Sequence, residues 1–148
     1  MPLKKDHGLY GTIMSAMPME VRREVFSSCN STGVKKGFFI MRIFGDYRSR
    51  RIIDEWFYMT WEKCRSKLNE ILNAPNSRID RAHYDKVVKM MPLKIRREAF
   101  IIAVASGQKK IFIIEQLFGG YNSGEIIDAW FRSKWATFMS NHSKQQCR

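Results

Sequence analysis

Three arginines crowd into four positions, Arg48-Ser49-Arg50-Arg51, directly ahead of an apolar run that begins at Ile52. A guanidinium can clamp two acceptors at once, either the O6/N7 edge of guanine or two oxygens of a phosphate. Such a cluster at the start of a helix therefore offers chemistry toward polyanions. Two lysine pairs, Lys35-Lys36 and Lys109-Lys110, stand 74 positions apart and suit phosphate contacts. Asn122 and Ser123 occupy the positions that match Arg48 and Ser49, and Arg132 and Lys134 bring positive charge further on. The plain alternatives are a solvated basic helix end for the arginines and solubility for the lysines. The whole chain favours the polyanion: its 148 residues hold 26 Lys/Arg against 14 Asp/Glu, a net charge of +12. Up to residue 74 the balance is 13 against 8 and after it 13 against 6, so both halves are basic. Nucleic acid fits that balance first and an anionic membrane surface second.

Nothing in the sequence marks an enzyme. His7, His83 and His142 are scattered without a partner motif, and read as surface residues. Cys29, Cys64 and Cys147 are odd in number and widely spaced, which is neither a metal pattern nor a disulfide framework. No phosphate-binding glycine loop, nucleophile–base set or paired carboxylates stand out, so no catalytic residue, metal or cofactor is expected. The start, MPLKKDHGLYG, lacks the apolar segment of a signal peptide, and the longest apolar run, Ala99 to Ala105, is too short for a bilayer. A reducing, cytoplasmic and nucleoid-associated location is the expectation.

The elements that position these residues are written twice. Phe44–Trp61 reads FGDYRSRRIIDEWFYMTW and Phe118–Trp135 reads FGGYNSGEIIDAWFRSKW, sharing F-G-x-Y-x-S-x-x-I-I-D-x-W-F-x-x-x-W. The 74-residue offset runs without a gap from Tyr10/Tyr84 to Ser66/Ser140, with 23 identities. Each copy reads as a short apolar segment, Met-Pro, a helix carrying Val21, Val25, Phe26 and Cys29 (or Ile95, Ala99, Phe100 and Ala103), and a glycine (Gly33, Gly107) suited to a left-handed helix end. A third helix follows from about residue 34 or 108, burying Phe38, Phe39, Ile43 and Phe44, or Phe112, Ile113, Leu117 and Phe118. Gly45 or Gly119 breaks it, and Ser49 or Ser123 begins a long fourth helix. Trp56 with Trp61, and Trp130 with Trp135, fall in its apolar stripe and read as core rather than as stacking platforms. Asp54 and Asp128 each read as pairing with an arginine of the same repeat's second helix. The breaker run Asn73–Ser77 sets the boundary, residues 1–8 read as frayed, and the residues from about Asn141 on read as disordered.

Helix, glycine, short turn, helix, seen at 34–61 and again at 108–135, resembles the helix-turn-helix class of DNA-binding regulators. The Gly107, Phe118-Gly119, Ile126-Ile127 and Trp130 spacing is similar to adhesin-operon regulators of the PapB type. The fold expected is all-α, two tandem helix-turn-helix units (1–74 and 75–148) forming a pseudo-two-fold helical protein. The resemblance implies a sequence-selective double-stranded-DNA-binding transcriptional regulator that acts as a covalent pseudo-dimer, monomeric or weakly homodimeric. Its site residues would be Lys35, Lys36, Arg48, Ser49, Arg50, Arg51, Lys109, Lys110, Asn122, Ser123, Arg132 and Lys134. Alternatives are a helical protein-interaction adaptor, with another regulatory protein as partner, or an RNA-binding protein; no membrane partner is expected.

Overall fold

The computed structural model describes residues 7–73 and 80–146, with side chains over 8–73 and 80–141. These residues are all-α, without strands. In chain order the helices are α1 (His7–Ala16), α2 (Met19–Thr32), α3 (Lys36–Phe44), α4 (Ser49–Arg65), α5 (Leu68–Leu72), α6 (Arg81–Met90), α7 (Leu93–Ser106), α8 (Lys110–Phe118) and α9 (Ser123–Gln146). The ends of α2 and α7 follow from one residue each: Gly33 and Gly107 both sit at φ 73°, where a Cβ is strained. Pro18 and Pro92 are the N-cap residues of α2 and α7, their carbonyls accepting from the Arg22 and Arg96 amides at 3.0 Å, and each keeps the methionine before it out of the preceding helix.

The chain packs as two compact units, one of Met1–Ser49 with Gly124–Arg148 and the other of Arg50–Ser123. The first unit thus holds α1, α2, α3 and α9, and the second holds α4 to α8. Each unit completes the three helices of one sequence repeat with the fourth helix of the other. In the first, α3 packs on α1 and α2, and Phe44 and Tyr47 lie 5.3 Å, ring to ring, from Phe131 of α9. In the second, α8 packs on α6 and α7, and Phe118 and Tyr121 lie 5.3 Å from Phe57 of α4. The F-G-x-Y half of each shared motif therefore meets the W-F half of the other copy.

The glycine of that motif has a steric reason. A Cβ on Gly45 would fall 2.2 Å from the Met41 carbonyl oxygen, and one on Gly119 2.3 Å from that of Glu115. With glycine the chain turns there, and the Tyr47 and Tyr121 amides donate to the Phe44 and Phe118 carbonyls at 3.0 Å. Phe44, Phe57, Phe118 and Phe131 are all fully buried. Trp61 and Trp135 are buried and Trp56 and Trp130 half-buried, so the tryptophans are core and core edge.

Three expectations change. The third helix of the first repeat buries Ile40 completely, while Phe38 stays 49% exposed. Residues 141–146 are helical, the last turns of α9, rather than disordered, and at the other end His7 and Gly8 already belong to α1. Asp54 pairs on its own helix, its Oδ1 3.2 Å from Arg50 Nε, and not with a second-helix arginine. The breaker run from residue 74 on, the first six residues, Cys147 and the side chains of His7 and His142 lie outside the described residues.

Candidate nucleic-acid interface

The basic positions start from two equivalent helix ends. Lys35 is the residue before α3 and Lys109 the residue before α8, with φ/ψ of −63/136° and −68/140° and no side-chain cap bond. The next lysine of each pair folds back over an aromatic ring of the preceding helix. Lys36 Nζ is 4.4 Å from the Phe26 ring centre and Lys110 Nζ 4.7 Å from that of Phe100. Cation–π contact orients each ammonium without neutralising it. The first-turn amides and the helix dipole add partial positive charge at the same end. All four lysines are exposed.

The arginine cluster is divided at the point where the chain passes from one unit to the other. Arg48 and Ser49 belong to the first unit, Arg50 and Arg51 to the second. Arg50 pairs with Asp54, and Arg51 Nε lies 3.5 Å from Glu55 Oε1. Both are i,i+4 pairs; Arg51–Glu55 is exposed at both ends, of the kind contributing about 0.3–0.5 kcal/mol, whereas Asp54 is half-buried, so an approaching phosphate can compete most readily for Arg51. In the second unit Arg50 also sits near Tyr121: burial pushes the Tyr121 phenol up, while a hydrogen bond with Ser123 and the Arg50 charge pull it back. Arg50, Tyr121, Ser123 and the exposed Asn122 are thus gathered at one turn.

Arg132 and Lys134 are engaged within the first unit. Arg132 Nε lies 2.6 Å from Glu20 of α2, and Lys134 Nζ 2.8 Å from Asp46 of the α3 turn. Trp135 Nε1 donates to Glu24 of α2. Together these contacts latch α9 onto the helices of the first repeat. The matching positions of the second unit, Tyr58, Thr60, Lys94 and Gly120, form no such latch. That unit has a different one: His83 of α6 lies 3.0 Å (Nδ1) from Glu115 of α8 and 3.1 Å (Nε2) from the Tyr121 carbonyl oxygen. Two acceptors favour the imidazolium, and the Glu115 hydrogen bond raises the His83 pKa above its usual 6.5, helped by the Tyr121 carbonyl and opposed by burial. Leu9 and Met41 take these places in the first unit. The equivalent arginines Arg22 and Arg96 donate to the Met14 and Val88 carbonyls, tying α2 to α1 and α7 to α6.

The sequence reading of His83 as a surface residue without a partner is corrected by its half-buried place between Glu115 and the Tyr121 carbonyl, and Glu20, Glu24, Asp46 and Glu115 are not among the site residues expected from the sequence. For all but Glu24, which is matched by Glu98, their signal was present in the comparison of repeats, as charges that change or vanish at matched positions. Among the described residues no three His, Cys, Asp or Glu side chains come together as a metal site, and no helix is long and apolar enough to cross a membrane. No family model, curated protein or solved structure matches the chain.

Proposed function

We propose that this protein binds double-stranded DNA as a transcriptional regulator, with the two units acting as a covalent pseudo-dimer. The observation that carries this reading is the exposed lysine pair at a helix start, present at the same place in both units, with its second lysine over the same aromatic residue of the preceding helix. An uncapped helix start with two ammonium groups matches the phosphate contacts that set a protein's register on a duplex. The charge is shared: the first unit carries 12 Lys/Arg against 6 Asp/Glu and the second 14 against 8, so each is +6. Arg48, Arg50 and Arg51 supply base-edge or further phosphate contacts, and Asn122 and Ser123 take the matching place in the other repeat. Arg132 and Lys134 act in this reading chiefly by holding α9 in place. In the helix-turn-helix reading, the helix each unit presents to a groove comes from the opposite repeat.

The test is competition binding by the full chain. Labelled mixed-sequence duplex is bound and then competed with unlabelled duplex, single strands and an RNA hairpin at a fixed salt concentration. The duplex is expected to compete best. Stronger competition by the RNA hairpin would replace DNA with RNA as the ligand, and no binding to any of them would remove the nucleic-acid reading.

A further inference from the structure

The two units differ in what covers one face of their third helix. In the second unit α5, with the sequence LNEIL, packs on α8. Gln108 Nε2 donates to the Leu72 carbonyl at 3.4 Å, and Phe112 of α8 is 3% exposed. The corresponding residue of the first unit, Phe38 of α3, is 49% exposed. It lines an open cleft of about 650 Å³ together with Phe39, Arg42, Phe138 and Met139.

The cause lies in how the two fourth helices end. After Arg65 the Lys67 amide donates to the Cys64 carbonyl at 2.9 Å, and the chain turns into α5. α9 instead continues to Gln146. The positions matching Leu68, Ile71 and Leu72 are His142, Gln145 and Gln146, which carry no aliphatic side chain. Among the described residues there are therefore two such faces, and a short helix covers one of them.

We propose that the cleft of the first unit is a docking groove for a short acidic amphipathic helix of a partner protein, carrying aliphatic side chains spaced like Leu68, Ile71 and Leu72. The cover of the second unit shows the apolar chemistry such a face takes, a single turn of helix presenting leucine and isoleucine. The acidic character follows from charge. The only charged residue within α5 is Glu70, and the open cleft adds Arg42 where the covered face has Gln116. A net charge of +12 favours an acidic ligand further. Helix-in-groove recognition of this kind reads anchors at i, i+3 and i+4. This inference stands independently of the nucleic-acid reading.

The experiment uses the full chain with its methionine methyls labelled for NMR, because Met139 lines the cleft while Met59, exposed on α4, belongs to the second unit. A side-chain-stapled peptide of residues 66–73 (SKLNEILN) is titrated in, beside the same peptide with Glu70→Lys. The expected result is a saturable shift of Met139 with Met59 unmoved, and weaker binding of the Glu70→Lys peptide. A Phe38→Ser variant, changed at an exposed position and checked by its unperturbed methyl spectrum, should lose at least about tenfold in affinity, ~1.4 kcal/mol. No Met139 shift at millimolar peptide, or Met59 moving in step with Met139, overturns the proposal. A Met139 shift that grows with protein concentration alone, with dimer seen by sedimentation, also overturns it and assigns the groove to a second copy.

Discussion

Phe131→Ala is the substitution that reads the helix exchange most sharply. Phe131 belongs by sequence to the second repeat, yet its fully buried ring sits 5.3 Å from both Phe44 and Tyr47 of the first. Truncating a buried phenylalanine costs about 3–5 kcal/mol, the lost transfer free energy plus the cavity left behind. At ~1.4 kcal/mol per factor of ten, amides protected by the closed first unit should exchange roughly a hundred- to a few-thousand-fold faster. Units of this size have little stability in reserve, so the first unit is expected to open. Hydrogen exchange by mass spectrometry should show the loss over α1, α2 and α3, with α6, α7 and α8 retaining their protection. Cys29, buried in α2, gives an independent readout. Burial raises its thiol pKa, and it should react with a thiol reagent far faster in the variant. Phe57→Ala should do the reverse, opening α6 to α8. Protection lost over α6 to α8 in Phe131→Ala would refute the exchange, and equal loss everywhere would refute the division into two units.

Other outcomes follow from single contacts. Glu20→Lys should lower the stability of the first unit by about 1 kcal/mol, since the pair it breaks is exposed, and Arg132→Glu added to it should restore most of that loss in a double-mutant cycle of urea melts. His83, with its folded pKa raised, contributes stability that is fully present below about pH 6.5 and is lost as pH rises through the raised folded value. Exchange protection of α6 and α8 should therefore fall on going from mildly acidic to mildly alkaline pH. The double variant His83→Leu with Glu115→Met, which installs the first unit's residues, should not show this fall. Gly119→Ala puts a methyl against the Glu115 carbonyl oxygen and should destabilise the second unit by more than the roughly 1 kcal/mol that alanine gains over glycine in an ordinary helix, as judged by the urea midpoint.

Much of the secondary structure was legible because its causes are local. Gly33 and Gly107 mark their helix ends, and Phe44-Gly45 and Phe118-Gly119 mark the turns, through backbone geometry that holds whatever packs nearby. The partner of each fourth helix was harder to read, because repeated motifs are chemically interchangeable. Tyr47 and Phe44 would find a Trp-Phe pair on α4 as readily as on α9. Charge at unmatched positions distinguishes the two pairings. Arg132 meets Glu20 in the first unit, whereas within its own repeat the matching residue is Lys94, a like charge. Lys134 likewise meets Asp46, where its own repeat has Gly120. Each exposed pair contributes less than about 1 kcal/mol, but two such pairs can choose between packings whose apolar contacts are otherwise equal. The ion pairs of Arg132 and Lys134 were obscured for the same reason: on a helix read alone both are lone cations, and their partners lie more than 80 residues away. The candidate site was more legible at the lysine pairs, which need only the start of their own helix and the aromatic residue ten positions earlier.

Under the proposed function, lysines at the starts of α3 and α8 grip the phosphates of a duplex. The most direct measurement is the dependence of binding on salt for the full chain and for a variant with Lys35, Lys36, Lys109 and Lys110 all changed to Ala. Each phosphate neutralised contributes about −0.9 to the log–log slope. The unaltered protein should give a slope on the order of −4 to −8, and the variant one shallower by up to about 3.6, with the helical content of the two chains equal by circular dichroism. A variant that keeps the full slope, or an unaltered protein whose binding does not change with salt, would contradict the account.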